Sequence, residues 1–226
     1  MFAKDFLALF YPSLCIICAS NLLKHEECIC ISCLHQTPKT DCFINSTNDV
    51  SERFWGRIQL ENAAALFDFN KDGNAQKLIH QLKYEEGKNV GIFLGKQLAY
   101  AINESECFNN IDIVIPVPLH SKKQKLRGYN QSDFIAKGIK EILDIKVNKQ
   151  SLIRIENTDS QTRKKRFSRW ENMMNSFDLR SSKKLKGKHI LLVDDVITTG
   201  STLEACAQKL QEVEGVKVSI ATIAVA

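Results

Sequence analysis

The sequence predicts an α/β fold, a mostly parallel sheet flanked by helices, with a small cysteine-rich module in front of it. Three observations carry this prediction. From Ile58 onward, strand-like and helix-like stretches alternate, as they do when crossover helices join successive strands. The apolar runs at 111–118, 189–196 and 216–225 are continuous, which suits strands covered on both faces. Six of the eight cysteines fall before position 43, outside the alternating region, and mark a separate local site.

Taken in chain order, residues 1–38 form the cysteine-rich module, and residues 39–57, with DCFINSTNDVSER at their centre, are polar and read as a linker. Residues 58–226 form the α/β domain. Within it, AAALFDFN predicts a strand. Residues 75–84 predict a helix with Leu78, Ile79 and Leu82 on one face, and 90–102 predict another. IDIVIPVP at 111–118 is a buried strand running into prolines, followed by an amphipathic helix over 132–143. HILLVDDV at 189–196 is the next buried strand, 201–213 a helix, and VKVSIATIAV a final strand. In such a sheet, ligands bind at the carboxyl ends of the strands.

Composition narrows the function classes. With 44% hydrophobic and 25% charged residues over 226 positions, the chain can bury one full core plus a small appendage. No stretch approaches the roughly 18 uninterrupted apolar residues of a spanning helix. Asp5 and Pro12 interrupt the short apolar start, and no small-residue cleavage site follows, which argues against a signal peptide. A cytoplasmic location without membrane insertion is expected. The net charge of +5 is modest, but the basic residues gather at 122–127, 163–169 and 183–188. Such runs are solvated loops or sites for phosphate and nucleic acid, and position decides between them.

Cys15 and Cys18 form one CxxC pair and Cys30 and Cys33 another, eleven residues apart. Each pair can place two thiolates on one metal from a tight turn, and four sulfurs close a tetrahedral, structural zinc site. Cys28, Cys42, His25 and His35 are competing ligands, and the alternatives are a redox pair or plain buried thiols.

The most informative stretch is ILLVDDVITTGST at 190–202. An apolar strand ends in Asp194 and Asp195, and Thr198, Thr199, Gly200, Ser201 and Thr202 then open a helix. The loop's N–H groups and hydroxyls can surround a phosphate, assisted by the positive helix N-terminus, and Gly200 permits close backbone approach. Two carboxylates beside that cradle can accept hydrogen bonds from vicinal ribose hydroxyls or hold a magnesium ion. There is no GxxxxGK[ST], and no GxGxxG opens a βαβ unit, so the common nucleotide-binding loops do not apply.

VDDVITTGST resembles the 5-phosphoribosyl-1-pyrophosphate (PRPP) signature of type I phosphoribosyltransferases. IPVPLH at 115–120, RGYNQS at 127–132, SQTRKKRFSRWENMMNSF at 160–177 and the two CxxC pairs resemble the ComF family of competence-associated proteins within that superfamily. The resemblance implies a type I phosphoribosyltransferase-like sheet behind a zinc module, PRPP as ligand together with Mg2+, and a role in DNA uptake and natural transformation. It implies single-stranded DNA, a competence helicase or other transformation proteins as partners. It places Pro116 and Arg127 on the pyrophosphate side, with Arg166 in a hood over the site. Asp194 and Asp195 would orient the ribose as C1 becomes cation-like, which makes catalysis mostly positioning and charge neutralisation. Thr198 stands where purine salvage relatives carry an aspartate base. Two alternatives therefore stay open: a non-catalytic ligand- or DNA-binding module, and a base-salvage phosphoribosyltransferase. His120 is the histidine beside the expected loop, and core packing is the expected use of Trp55, Trp170 and Tyr129.

Overall fold

A computed structural model of the chain describes residues 12–84, 87–155 and 176–226. Arg166, the expected hood, Trp170 and the basic run at 163–169 lie outside the described residues. A five-stranded sheet, ordered β1-β7-β6-β2-β3, forms the centre of the domain. Its strands are β1 (Ala63–Asp68), β2 (Ile113–Pro116), β3 (Lys146–Val147), β6 (His189–Ile197) and β7 (Lys217–Val225), and every neighbouring pair is parallel. A two-stranded antiparallel ribbon, β4 (Leu152–Arg154) with β5 (Phe177–Leu179), stands outside that sheet. The α/β class predicted from the continuous apolar runs is the one observed: Leu191, Leu192, Ile220 and Ala224 are all fully buried.

The helices follow the predicted periodicities. α3 (Asn74–Leu82) buries Leu78, Ile79 and Leu82, α4 (Gly87–Glu104) buries Leu94 and Leu98, and α6 (Gln131–Leu143) buries Ile135 and Ile139. α4 and α6 meet at glycines. A Cβ on Gly95 would stand 2.1 Å from the Ile135 carbonyl oxygen, so the close approach of the two helices requires hydrogen there. α7 (Ser201–Gln211) follows β6 and packs on β5, β6 and β7. The basic run at 122–127 belongs to a short helix, α5 (Ser121–Arg127). His120 caps it by accepting from the Lys122 N–H at 3.2 Å, and left-handed Gly128 closes it.

In the cysteine-rich region, α1 (Ile31–His35) carries Cys33, and the segment after it runs along the sheet edge. Lys39 bridges Phe67, and the Asp68 N–H donates to Pro38 O at 3.0 Å. The stretch 39–57, expected as a linker, therefore joins the two modules in sequence but packs on the domain. α2 (Asp49–Glu52) buries Val50 and is capped by Asn48, whose Nδ2 reaches Ala63 O at 3.1 Å, while Phe54 is buried against the core. Polar composition hid this, because Val50 and Phe54 are isolated apolar positions among serines and asparagines.

From β2 the chain passes outward to β3 and returns to β6 on the other side of β2. This reversal is a topological switch point, and the crevice beyond the carboxyl ends of β2 and β6 is where such sheets bind ligands.

Candidate functional site

The residues after β2, the start of α6, Arg154 of β4, and the carboxylates of β6 enclose a cavity of about 220 Å³ at that switch point. Asp194 and Asp195 line its floor, with Val117, Pro118, Leu119, Arg127 and Thr202 around them. Both aspartates are partly buried. Ser132 Oγ donates to Asp194 Oδ1 at 2.9 Å, and the Asp195 N–H donates to the same oxygen at 2.9 Å. Lys83 Nζ stands 3.9 Å from Asp195 Oδ2. Burial first, and the neighbouring Asp195 charge second, push the Asp194 carboxyl up to about 7. Near neutral pH this carboxylate therefore gains from any cation or hydroxyl donor brought to it.

The loop at 198–202 follows β6, and its Thr202 lines the cavity. Thr198 and Thr199 are exposed, whereas Gly200 is buried with φ 77°. A Cβ on Gly200 would meet the Phe54 ring at 3.0 Å in a backbone conformation that L side chains avoid, so the turn needs glycine twice over. The Thr199 and Ser201 hydroxyls lie 3.0 Å apart at the N-terminus of α7. The loop's carbonyls are held from behind. Arg53 Nη1 donates to Thr198 O and, at 2.8 Å, to Ala226 O, while Arg57 Nη1 donates to Thr199 O at 3.1 Å. Arg57 Nη2 pairs with Glu204, a buried carboxylate of α7. The two arginines thus fix the backbone of the turn at the N-terminus of α7.

Of the residues expected on the pyrophosphate side, Arg127 lines the cavity, and Pro116 is buried in β2 one residue behind the lining Val117. Asn130, Gln131, Ser132, Lys83 and Arg154 also line it and were not singled out from sequence. RGYNQS contained the signal for three of them. Arg154, Arg53 and Arg57 stand alone in their stretches and gave none. Tyr129 is a core residue whose hydroxyl donates to Leu82 O at 2.8 Å, and Trp55 is exposed.

The cysteine module holds a second constellation. The Sγ atoms of Cys15, Cys18, Cys30 and Cys33 all lie within 4.8 Å of one another, and those of Cys18 and Cys30 are 3.8 Å apart. Metal–sulfur bonds of about 2.3 Å in a tetrahedron require sulfurs about 3.8 Å apart, so donor type and spacing fit a metal such as zinc. Local backbone shapes each knuckle: Ala19 turns at φ 57°, the Cys30 N–H donates to Cys15 Sγ at 3.4 Å, and the Cys33 N–H donates to Cys30 Sγ at 3.4 Å. The Ser20 hydroxyl draws the Cys18 thiol down to about 6, whereas burial pushes Cys33 up.

Residues 129–225 match the family model described as a phosphoribosyl transferase domain. Among curated proteins, the chain is 32% identical over 136 residues to the DNA utilization protein YhgH of Salmonella typhimurium, a match covering 59% of each chain. It is 32% identical over 139 residues to competence protein F of Haemophilus influenzae, covering 60% of this chain and 61% of that one. It is 34% identical over 100 residues to competence protein ComFC of Bacillus subtilis, covering 44% and 38%. The match to the first of these relatives spans 59% of the relative's length. Among solved structures, a glutamine PRPP amidotransferase from B. subtilis is 22% identical with a TM-score of 0.42, over 63% of this chain and 30% of that one. An adenine phosphoribosyltransferase is 14% identical with a TM-score of 0.36, over 69% and 72%.

Proposed function

We propose, from the premise that this chain is a ComF-family protein, that it binds PRPP with magnesium at the switch point and acts in the cytoplasm as a phosphoribosyltransferase-like protein of DNA uptake. The observation that carries this reading is the pair of partly buried carboxylates in the switch-point cavity, followed directly by a glycine-turned loop whose Thr202 lines the same cavity. Asp194 and Asp195 would accept hydrogen bonds from the ribose hydroxyls. The turn at 198–202 would hold the 5-phosphate. Arg127 and Arg154 line the same cavity as the two carboxylates, where they would meet the diphosphate. Magnesium, held at Asp194 and Asp195, would neutralise charge developing on the leaving diphosphate. Thr198 supplies no base for a purine, which weighs against purine salvage. The four-cysteine cluster would hold zinc in a closed set of ligands and serve the fold of the module at residues 1–38.

Calorimetry tests the ligand assignment. Asp194→Asn and Asp195→Asn keep the side-chain shape and remove a charge, so each is expected to weaken PRPP binding about ten- to a hundred-and-fifty-fold, the value of a charge-assisted hydrogen bond. Equal binding by wild type and both variants, with folds intact, would sink it. Ligand-free stability supplies a second readout. Because the folded Asp194 value is raised from 3.8 to about 7, its contribution is fully present below pH 4 and is lost as pH rises through 7. The Asp194→Asn variant should therefore gain on wild type between pH 5 and pH 8 in urea melts.

The exposed basic face of α5 favours a second reading, in which the protein also binds single-stranded DNA through phosphates. Lys122, Lys123 and Lys125 all face solvent, whereas Lys186 and Lys188 in the run at 183–188 are paired with Glu214 and Asp112. Binding should fall linearly in log affinity against log salt and weaken when the α5 lysines become glutamines. No binding at low ionic strength removes nucleic acid from the direct partners.

A further inference from the structure

Gln131 opens α6 with only 2% of its surface exposed, and it lines the switch-point cavity. Its Nε2 is buried without a hydrogen-bond partner among the described residues, and so is Nε of Arg154 on the facing ribbon. These are the only two buried side-chain nitrogens or oxygens among the described residues left in that state, and they share one cavity. Their neighbours are engaged. Asn130 Nδ2 donates to Val117 O at 2.9 Å, Ser132 Oγ serves Asp194 at 2.9 Å, and Lys83 faces Asp195 at 3.9 Å. A buried donor without a partner is costly, and native structures seldom keep one unless something outside the chain completes it. Arg154 is also held in place, with its guanidinium 5.1 Å from the Phe177 ring centroid.

The surroundings give the chemistry of what completes these donors. Both are N–H groups, so the missing partner is an acceptor. Lys123 and Arg127 of α5 line the same cavity, and the thirteen-residue α6 begins there at Gln131 with its positive end. Of the turn at 198–202 only Thr202 lines this cavity, so the two donors stand in a part of it that residues 198–201 do not reach. We propose that Gln131 and Arg154 bind the diphosphate of the ligand, the end opposite the 5-phosphate. This assignment rests on the phosphoribosyl reading of the site and adds two residues to it.

A diphosphate donor and a structural residue predict different behaviour. Gln131→Leu removes an unpaired buried donor, so without ligand it should melt at or above the wild-type temperature. The same variant, like Arg154→Met, should weaken binding of magnesium pyrophosphate and of PRPP about tenfold or more and leave ribose 5-phosphate binding unchanged. Gln131→Glu, with nearly the same volume and an added negative charge, should weaken both diphosphates further. The proposal is overturned if pyrophosphate binding survives these substitutions, or if ribose 5-phosphate suffers equally. It is also overturned if wild type does not bind magnesium pyrophosphate. Wild type that binds pyrophosphate but neither ribose 5-phosphate nor PRPP overturns the phosphoribosyl reading, while the pyrophosphate arm still decides the roles of Gln131 and Arg154.

Discussion

Replacing Cys33 with serine, or withdrawing metal with a strong chelator, is expected to unfold residues 12–38 and leave the sheet domain standing. The cluster Cys15, Cys18, Cys30 and Cys33 is the main feature holding that segment in shape. Ile29 is buried beside it and Ile16, Ile17, Leu22 and Leu34 are only partly buried against the core, and the short α1 could not persist alone. The polar links to the domain among the described residues include Asn74 Nδ2 to Cys33 O at 3.3 Å, the Asp68 N–H to Pro38 O at 3.0 Å, and an exposed Lys96–Glu27 pair at 2.9 Å, which is a weak source of stability. Structural zinc in comparable peptides supplies about 10–16 kcal/mol of apparent binding free energy, far more than these contacts offer. Purified protein should carry one zinc per chain by metal analysis. Limited proteolysis after chelation should cut within residues 12–38 first, and hydrogen exchange in β6 and β7 should stay slow. Absence of metal under reducing conditions, or unchanged protection in the module of the Cys33→Ser variant, would refute the assignment.

The strands and the site were legible in the sequence to different degrees. β2, β6 and β7 announced themselves because parallel strands covered on both faces must be apolar throughout, and their runs hold little else. The carboxylates and the loop after them stood out as a candidate site because small hydroxyl residues and glycine at a helix N-terminus are the residue types an anion site there admits. β3 was not, since two paired residues at a sheet edge leave no periodicity to read. Nor was the ribbon of β4 and β5, whose partners stand 23 to 27 residues apart, from Arg154 paired with Phe177 to Leu152 paired with Leu179. Arg154 reaches the cavity only through that pairing, so its role depends on tertiary structure. The same is true of Arg53 and Arg57, whose contacts with Thr198, Thr199 and Glu204 span more than 140 positions of sequence.

That last group supports the other large expected effect. Arg57→Met should destabilise the domain and loosen the loop at 198–202 together. Glu204 is 2% exposed, and Arg57 is the cation at its carboxylate, so losing the guanidinium strands a charge inside the protein. A fully buried pair broken in this way costs about 3–5 kcal/mol, and because Arg57 itself is 32% exposed the cost here should be nearer 2–3. The same substitution releases the Thr199 carbonyl and frees the turn to sample orientations in which its N–H groups no longer converge. Ribose 5-phosphate affinity should then drop. Adding Glu204→Gln separates the two effects: with the stranded charge neutralised, the urea midpoint should recover most of its loss, while phosphate affinity stays low because the carbonyl is still unheld. Full recovery of affinity in the double variant would show that Arg57 supports only stability. If Arg57→Met unfolds at the wild-type midpoint, the pair with Glu204 contributes nothing. If instead stability recovers and affinity does not, a segment with the composition of a linker holds the loop that binds the phosphate.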